Sequence, residues 1–384
     1  MKHFNYLTEK QVEDLFVRPP EEFNKYTDKE TLAYGLGATL YMPSYQNIIE
    51  KVKSELLRGL ASFVMCFEDA IKEEDVERGQ ANVRNTLQEL HRSIKAGTTN
   101  ISKIPLFFLR VRNLSQFESF ISTLTKEEAE LLTGFVFPKF NSTNGKQYLS
   151  LTKQFSEHFQ TKLYGMPILE SSSIIYKESR VDELIKIKAI LDEYQDFVLN
   201  IRVGGTDFSS IFALRRGIDY SIYDIKVVSD CLTDILNVFK RAEDGFVLSA
   251  PVWEYFSQQR LLKPRIRITP FAEQNMIGKR QNIVDKAIDG LIKEIVLDKA
   301  NGFVGKTIIH PTHISYVNAL QVVTKEEYED AQMILQHQGG GVFKSATGNK
   351  MNEVNPHLAW ARQIMKKASV YGVLKEGDHY VALF

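Results

Sequence analysis

The stretch from Tyr164 to Asp207 constrains the fold of this chain more than any other. It holds two short apolar runs, YGMPILE (164–170) and FVLNIRVGGTD (197–207). Each has the length of a strand and is rich in bulky or β-branched residues. Between them Val181, Leu184, Ile187, Leu191 and Tyr194 recur at helical spacing, the stripe of a helix that packs on a sheet. Strand, helix, strand predicts a βαβ unit with parallel, neighbouring strands. Glu170 and Asp207 then stand at the carboxyl ends of adjacent strands, on one face of the sheet. Two carboxylates side by side repel unless a cation lies between them or one keeps its proton. A hard, oxygen-loving ion such as Mg2+ suits that position.

Six further runs of the same kind complete the pattern. They are TLYMP (39–43), SFVMCFE (62–68), IPLFFLRV (104–111), TGFVFPK (133–139), GFVLSAP (245–251) and GFVGKTIIHP (302–311). The stretches between them, such as 45–59 and 75–96, have the length of crossover helices. Eight repeats in about 270 residues predict a (β/α)8 TIM barrel of the α/β class, whose functional groups gather at the carboxyl ends of the strands. An open doubly wound sheet is the competing arrangement. The strand ends favour the barrel, because in order they carry Pro43, Glu68 with Asp69, Arg110 with Arg112, Lys139, Glu170, Asp207, Ser249 and His310. Ionisable groups from six of eight strands are better explained by one shared pocket. The expected organisation is an N-terminal extension over 1–34, the barrel over 35–312, and C-terminal helices with a lid loop over 313–384. In that last part 325–336 is the clearest helix, 339–356 a glycine-rich loop, and 357–371 a final amphipathic helix.

Composition excludes several classes of function. The chain has 384 residues, with 48 Lys+Arg against 48 Asp+Glu, so no global field draws it to nucleic acid or anionic lipid. Cys66 and Cys231 alone make neither a disulfide framework nor a zinc spacing, and Cys66 reads as packing within a strand. The start, MKHFNYLTEK, has no apolar leader, and no run approaches the roughly 20 residues that span a bilayer. A cytoplasmic protein that binds neither membrane nor nucleic acid is the expectation. GFVGKT has the look of a phosphate-binding loop, but that loop needs a glycine where Ala300 stands and opens a helix rather than a strand.

Taken together, MPSYQ, FEDAI, LRVRN, FPKF, PILESSS, GGTD and GFVGKTIIHPTHISYVN resemble, in order, the motifs of citrate lyase β-subunits, malyl-CoA lyases and related HpcH/HpaI-type aldolases. The GNKMNEV segment is similar to that family's C-terminal lid. The likeness covers roughly residues 38–371 and is nearest to a divergent branch of TIM-barrel carbon–carbon bond lyases found with tellurite-resistance and stress operons. The resemblance implies Mg2+ held by Glu170 and Asp207, completed by waters and by the carboxylate and carbonyl of a short oxo or hydroxy acid. It implies that Arg110 stabilises an enolate oxygen. Glu68 and Asp69 would hold metal-bound waters or orient Arg110. It also implies a homo-oligomer, a trimer or hexamer, in which the 339–356 loop of one subunit covers the mouth of another.

Three positions depart from that pattern. Cys66 stands where the family often has Asp, and Arg112 where it has Asn. Ala38-Thr39 replaces an Arg-Ser used near CoA, which argues against a CoA handle. Arg112, with the basic segment around Arg260, Lys263, Arg265 and Arg267, is a candidate for holding a phosphate or a second carboxylate. Lys139, Ser249 and His310 are further substrate-binding candidates. Two of these also have a plainer reading: Lys139 as an ion-pair partner, His310 as the residue that fixes the last turn. Two functions fit these residues, a Mg2+-dependent lyase or aldolase, and a barrel without turnover that acts as a ligand sensor or partner-binding subunit.

Overall fold

Parallel pairing of eight short strands organises the computed structural model, which describes residues 1–53, 57–256, 286–337, 341–345, 348, 350–377 and 380–384. The strands are β1 (Ala38–Pro43), β2 (Ser62–Cys66), β3 (Leu106–Arg110), β4 (Gly134–Phe137), β5 (Tyr164–Leu169), β6 (Ile201–Val203), β7 (Leu248–Ser249) and β8 (Lys306–Ile308). Their spatial order is β7-β6-β5-β4-β3-β2-β1-β8, every step parallel. A parallel bridge between Ala250 and Lys306 joins the two ends. There the Ala250 N–H donates to Gly305 O and the Thr307 N–H to Ala250 O, each at 3.2 Å. Closure removes both sheet edges, so the fold is the barrel and not the open sheet.

Alternation along the strands divides the core in two. Phe63, Met65, Phe107, Leu109, Phe135 and Phe137 belong to the shell packed under the helices. Val64, Leu106, Phe108, Val136, Met166 and Ile168 form a second cluster that also takes in Phe4, Phe16, Phe23 and Tyr371. The period of two that sends Val64 and Phe108 to this second face also sends Cys66 and Arg110 there, one pleat nearer the carboxyl end. Residues 1–36 therefore pack against the amino-terminal end of the barrel, leaving the carboxyl end for polar groups. His3 stacks on Tyr371 at 4.5 Å. The short strand Phe16–Arg18 pairs antiparallel with Val373–Leu374, tying the two ends of the chain together.

The helix between β5 and β6 runs Lys177–Glu193, but its buried stripe is not the expected one. Leu184, Ile187 and Leu191 are buried, whereas Val181 is 56% exposed. Arg180 takes its place. Its guanidinium donates to the Ile174 and Ile175 carbonyls and to Asp230 and Asp234, so the head is fully paired and the stem covers apolar surface. Beyond the barrel, the helices Lys325–Gln336 and Val354–Tyr371 pack on each other through Ala331, Ile334, Ala361, Ile364 and Ala368. A hairpin of Val342–Lys344 and Met351–Glu353 is held to the first of them by Asn352 on Asp330, at 2.7 Å. Among the described residues no helix is long and apolar enough to cross a membrane.

Candidate active site

At the carboxyl end of the barrel, β5 and β6 lie side by side, with Ile168 opposite Arg202 and Leu169 opposite Val203. Glu170 follows β5 directly. Asp207 lies in the first turn of the helix Gly205–Ile211, where the helix N-terminus favours a carboxylate. The two acids converge over Gly204, whose N–H is held by Leu169 O at 3.0 Å. A Cβ at position 204 would overlap Glu170 and stand 3.1 Å from Asp207 Oδ2, so only glycine leaves both carboxylates where they are.

Arg110, the last residue of β3, enters the same space. Its Nη2 stands 2.5 Å from Glu68 Oε2, 3.0 Å from Asp69 Oδ2 and 3.4 Å from Glu170 Oε1. Lys139 approaches from the rim in a left-handed conformation, φ 50°. This turns its backbone N–H onto Glu170 Oε1 at 2.9 Å while its ammonium reaches Glu68 Oε1 at 2.8 Å. A cavity of about 400 Å3 opens here, lined in part by Tyr41, Cys66, Arg110, Glu170, Arg202 and Asp207.

The electrostatics are those of crowded acids. Burial, then the neighbouring Asp207, push the Glu170 carboxyl up to about 8 against the pull of Arg110. Asp207 is likewise raised, by burial and by Asp69, and Glu68 by burial. Burial would raise Asp69 as well, but its hydrogen bond with Glu68 and the charges of Arg110 and Lys139 outweigh this and lower it. A doubly charged cation between Glu170 and Asp207 would offset the burial that holds both acids toward their protonated forms. Among the described residues no three His, Cys, Asp or Glu side chains enclose a cation by themselves. Two carboxylates with open positions are nonetheless a donor set that Mg2+ accepts, since it keeps waters and shares its sites with substrate. The residues present fit that ion.

The candidates named from sequence do not all meet. Glu68, Asp69, Arg110, Glu170 and Asp207 are brought together, with Lys139 at their edge. Arg112 is not among the cavity-lining residues: its guanidinium is held by Glu73 at 2.5 Å and by the Phe67 carbonyl at 3.1 Å. Ser249 is buried and donates to Val304 O at 3.0 Å. His310 stacks on Phe256 at 4.4 Å and its Nδ1 lies 2.7 Å from Thr312 Oγ1, where it caps the turn after β8. Arg260, Lys263, Arg265 and Arg267 lie outside the described residues. Conversely, Cys66, read as packing, is the last residue of β2 and lines the cavity, its thiol pushed up by burial. Arg202 was passed over, although an arginine two residues before Gly204 in an otherwise apolar run was a legible signal.

The model of the C–C bond lyases of the TIM-barrel fold matches residues 30–373 of the chain. This protein belongs to that family. No protein of curated function matches this chain in sequence. Among solved structures it is similar to CitE of Mycobacterium tuberculosis in complex with magnesium, acetoacetate and coenzyme A. The identity there is 14%, with 88% of this chain and 99% of that one covered at a TM-score of 0.46. It is also similar to RipC of Yersinia pestis, at 15% identity over 75% and 95% of the two chains and a TM-score of 0.45. The Haloferax volcanii malate synthase lead(II) complex aligns at 12% identity over 76% and 74%, with a TM-score of 0.49.

Proposed function

We propose that this member of the family is a Mg2+-dependent carbon–carbon lyase or aldolase that acts on a short oxo or hydroxy acid. The observation that carries the reading is the convergence of Glu170 and Asp207 over Gly204 beside the buried Arg110 guanidinium. Breaking a carbon–carbon bond next to a carbonyl leaves an electron pair that must be accepted as an enolate. When bound, the ion would supply Lewis-acid polarisation of the carbonyl. Glu170 and Asp207 would hold it, Glu170 being fixed by the Lys139 backbone N–H.

Arg110 is suited to the enolate oxygen. Its guanidinium is locked in place by Glu68 and Asp69, so fixed positive charge already faces the place where negative charge develops. Its Nε has no protein partner and is buried, a donor available without rearrangement. Glu68 and Asp69 act here as positioning residues, and Lys139 on Glu68 completes the chain of charges.

Calorimetric titration of Mg2+ into the wild-type protein and into Glu170→Gln tests the metal site. The wild type should bind and the variant should lose most of that affinity. Turnover of a panel of 2-oxo and 3-hydroxy acids then tests the chemistry. Equal Mg2+ binding by both proteins, or no cleavage of any acid, would remove the basis for the reading.

A further inference from the structure

Arg202 is the most deeply buried charge in the barrel interior that no carboxylate answers. It projects from β6 with 1% of its surface exposed, and it lines the cavity that holds Arg110, Glu170 and Asp207. Its neighbours are hydroxyls. Nη2 donates to Thr307 Oγ1 at 2.8 Å, and Nη1 lies 3.4 Å from Thr39 Oγ1. The guanidinium carbon sits 5.5 Å from the centroid of the Tyr41 ring. Nε has no partner. Among the described residues no carboxylate stands within ion-pair distance of it, in contrast to Arg110, Arg180 and Arg216.

A buried guanidinium without a counter-charge is costly, and such groups persist where something else supplies the charge. The surroundings of Arg202 define what that is. Five N–H donors in a planar fork offer paired hydrogen bonds to a planar anion. Thr307 and Tyr41, which line the cavity with Arg202, add hydroxyls that can turn to donate. The site contains one positive charge and no ammonium, which matches a singly charged carboxylate. Tyr41, on β1, meets the Arg202 side chain across the barrel interior and is close enough to feel the charges of both Arg202 and Arg110. One short molecule can therefore face Glu170 and Asp207 with one end and Arg202 with the other.

We propose that the substrate of this enzyme is a dicarboxylic acid whose second carboxylate is received by Arg202 and Thr307 inside the barrel. The inference rests on the lyase reading for the identity of the cavity as the substrate site, and it narrows the substrate from short acids in general to diacids. It also moves the second anion site away from Arg112, whose head is already paired with Glu73.

The test compares acids that differ only in the second carboxylate: 2-oxobutanedioate against 2-oxobutanoate, and 2-oxopentanedioate against 2-oxopentanoate. Each is titrated calorimetrically into the full chain with Mg2+ present. In the wild type at least one diacid should bind at least about tenfold tighter than its monoacid. Arg202→Gln should abolish that preference while leaving monoacid affinity within about threefold. Should Arg202→Gln fail to fold, Arg202→Lys keeps a charge but not the fork, and it should reduce the preference without abolishing it. Equal affinity within both pairs in the wild type, absence of binding included, overturns the proposal, as does a preference that survives intact in Arg202→Gln. The same titrations without Mg2+ and in Glu170→Gln separate this inference from the metal reading. A diacid preference that ignores both changes keeps Arg202 as the anion site and removes the metal. Mg2+-dependent binding without a diacid preference does the reverse.

Discussion

The backbone N–H of Lys139 donates to Glu170 Oε1 across 2.9 Å, from a residue held in the left-handed region at φ 50°. The conformation is what turns that N–H into the site, and an L-residue with a side chain occupies it at a cost of roughly 1–2 kcal/mol. Two substitutions separate backbone from side chain. Lys139→Gly and Lys139→Ala both lose the ion pair to Glu68, but only glycine relaxes the backbone. Lys139→Gly should therefore be more stable than Lys139→Ala by about 1 kcal/mol in urea denaturation. Equal stability of the two would mean that the turn is not strained as described.

Gly204 lends itself to a similar separation. Its own φ of −92° is open to any residue, so alanine there meets no penalty from its own φ, but its Cβ would stand 2.5 Å from Glu170 Cβ and press on both carboxylates. Gly204→Ala should cost roughly 1–3 kcal/mol of stability and weaken Mg2+ by at least about tenfold, or about 1.4 kcal/mol. Calorimetric titration reads the second quantity and a melting curve the first. Unchanged Mg2+ affinity would separate Gly204 from the metal site.

Lys306 shows how the last strand is anchored. It is fully buried and pairs with Glu294 at 2.9 Å and Asp298 at 2.7 Å, both on the helix Lys286–Ala300. Glu294 in turn takes Arg216 and the Ile222 N–H. Removing one member leaves buried charges unanswered, so Glu294→Ala should lower the unfolding free energy by roughly 3–5 kcal/mol. Equilibrium denaturation measures it, and a loss below roughly 1 kcal/mol would contradict the account.

These residues also show what the sequence could and could not convey. Glu170, Asp207, Arg110, Glu68 and Asp69 were legible because strand ends in a parallel barrel all face one way, so spacing along the chain predicts meeting in space. Arg112 was misleading for a related reason. Two residues beyond Arg110 it looks equivalent on a period of two, but β3 has ended and the chain has turned toward Glu73. Arg202 is legible as a charge in an apolar run, but the run gives no sign of which wall it faces until the register of β5 on β6 is known. The same holds for Val181 and Arg180, adjacent on one helix, where the charged residue is buried because Asp230 and Asp234 on a distant helix meet it.

Two buried histidines contribute to the response to acid. Burial pushes His3 and His313 down to about 4 each, below the ordinary value near 6.5. Between those values the unfolded chain binds protons that the folded chain refuses. The stability these residues contribute is therefore complete above about pH 6.5 and is lost as pH falls toward 4, by up to roughly 3 kcal/mol apiece. His3 accepts replacement by a side chain that does not titrate, because its main polar contact is Nε2 to Gly35 O at 3.0 Å, which an amide can reproduce. His3→Gln should flatten the fall in melting temperature between pH 7.5 and pH 5.5 relative to wild type, by about half of the histidine-linked part. Parallel slopes for the two proteins would show that His3 is not a source of the acid sensitivity.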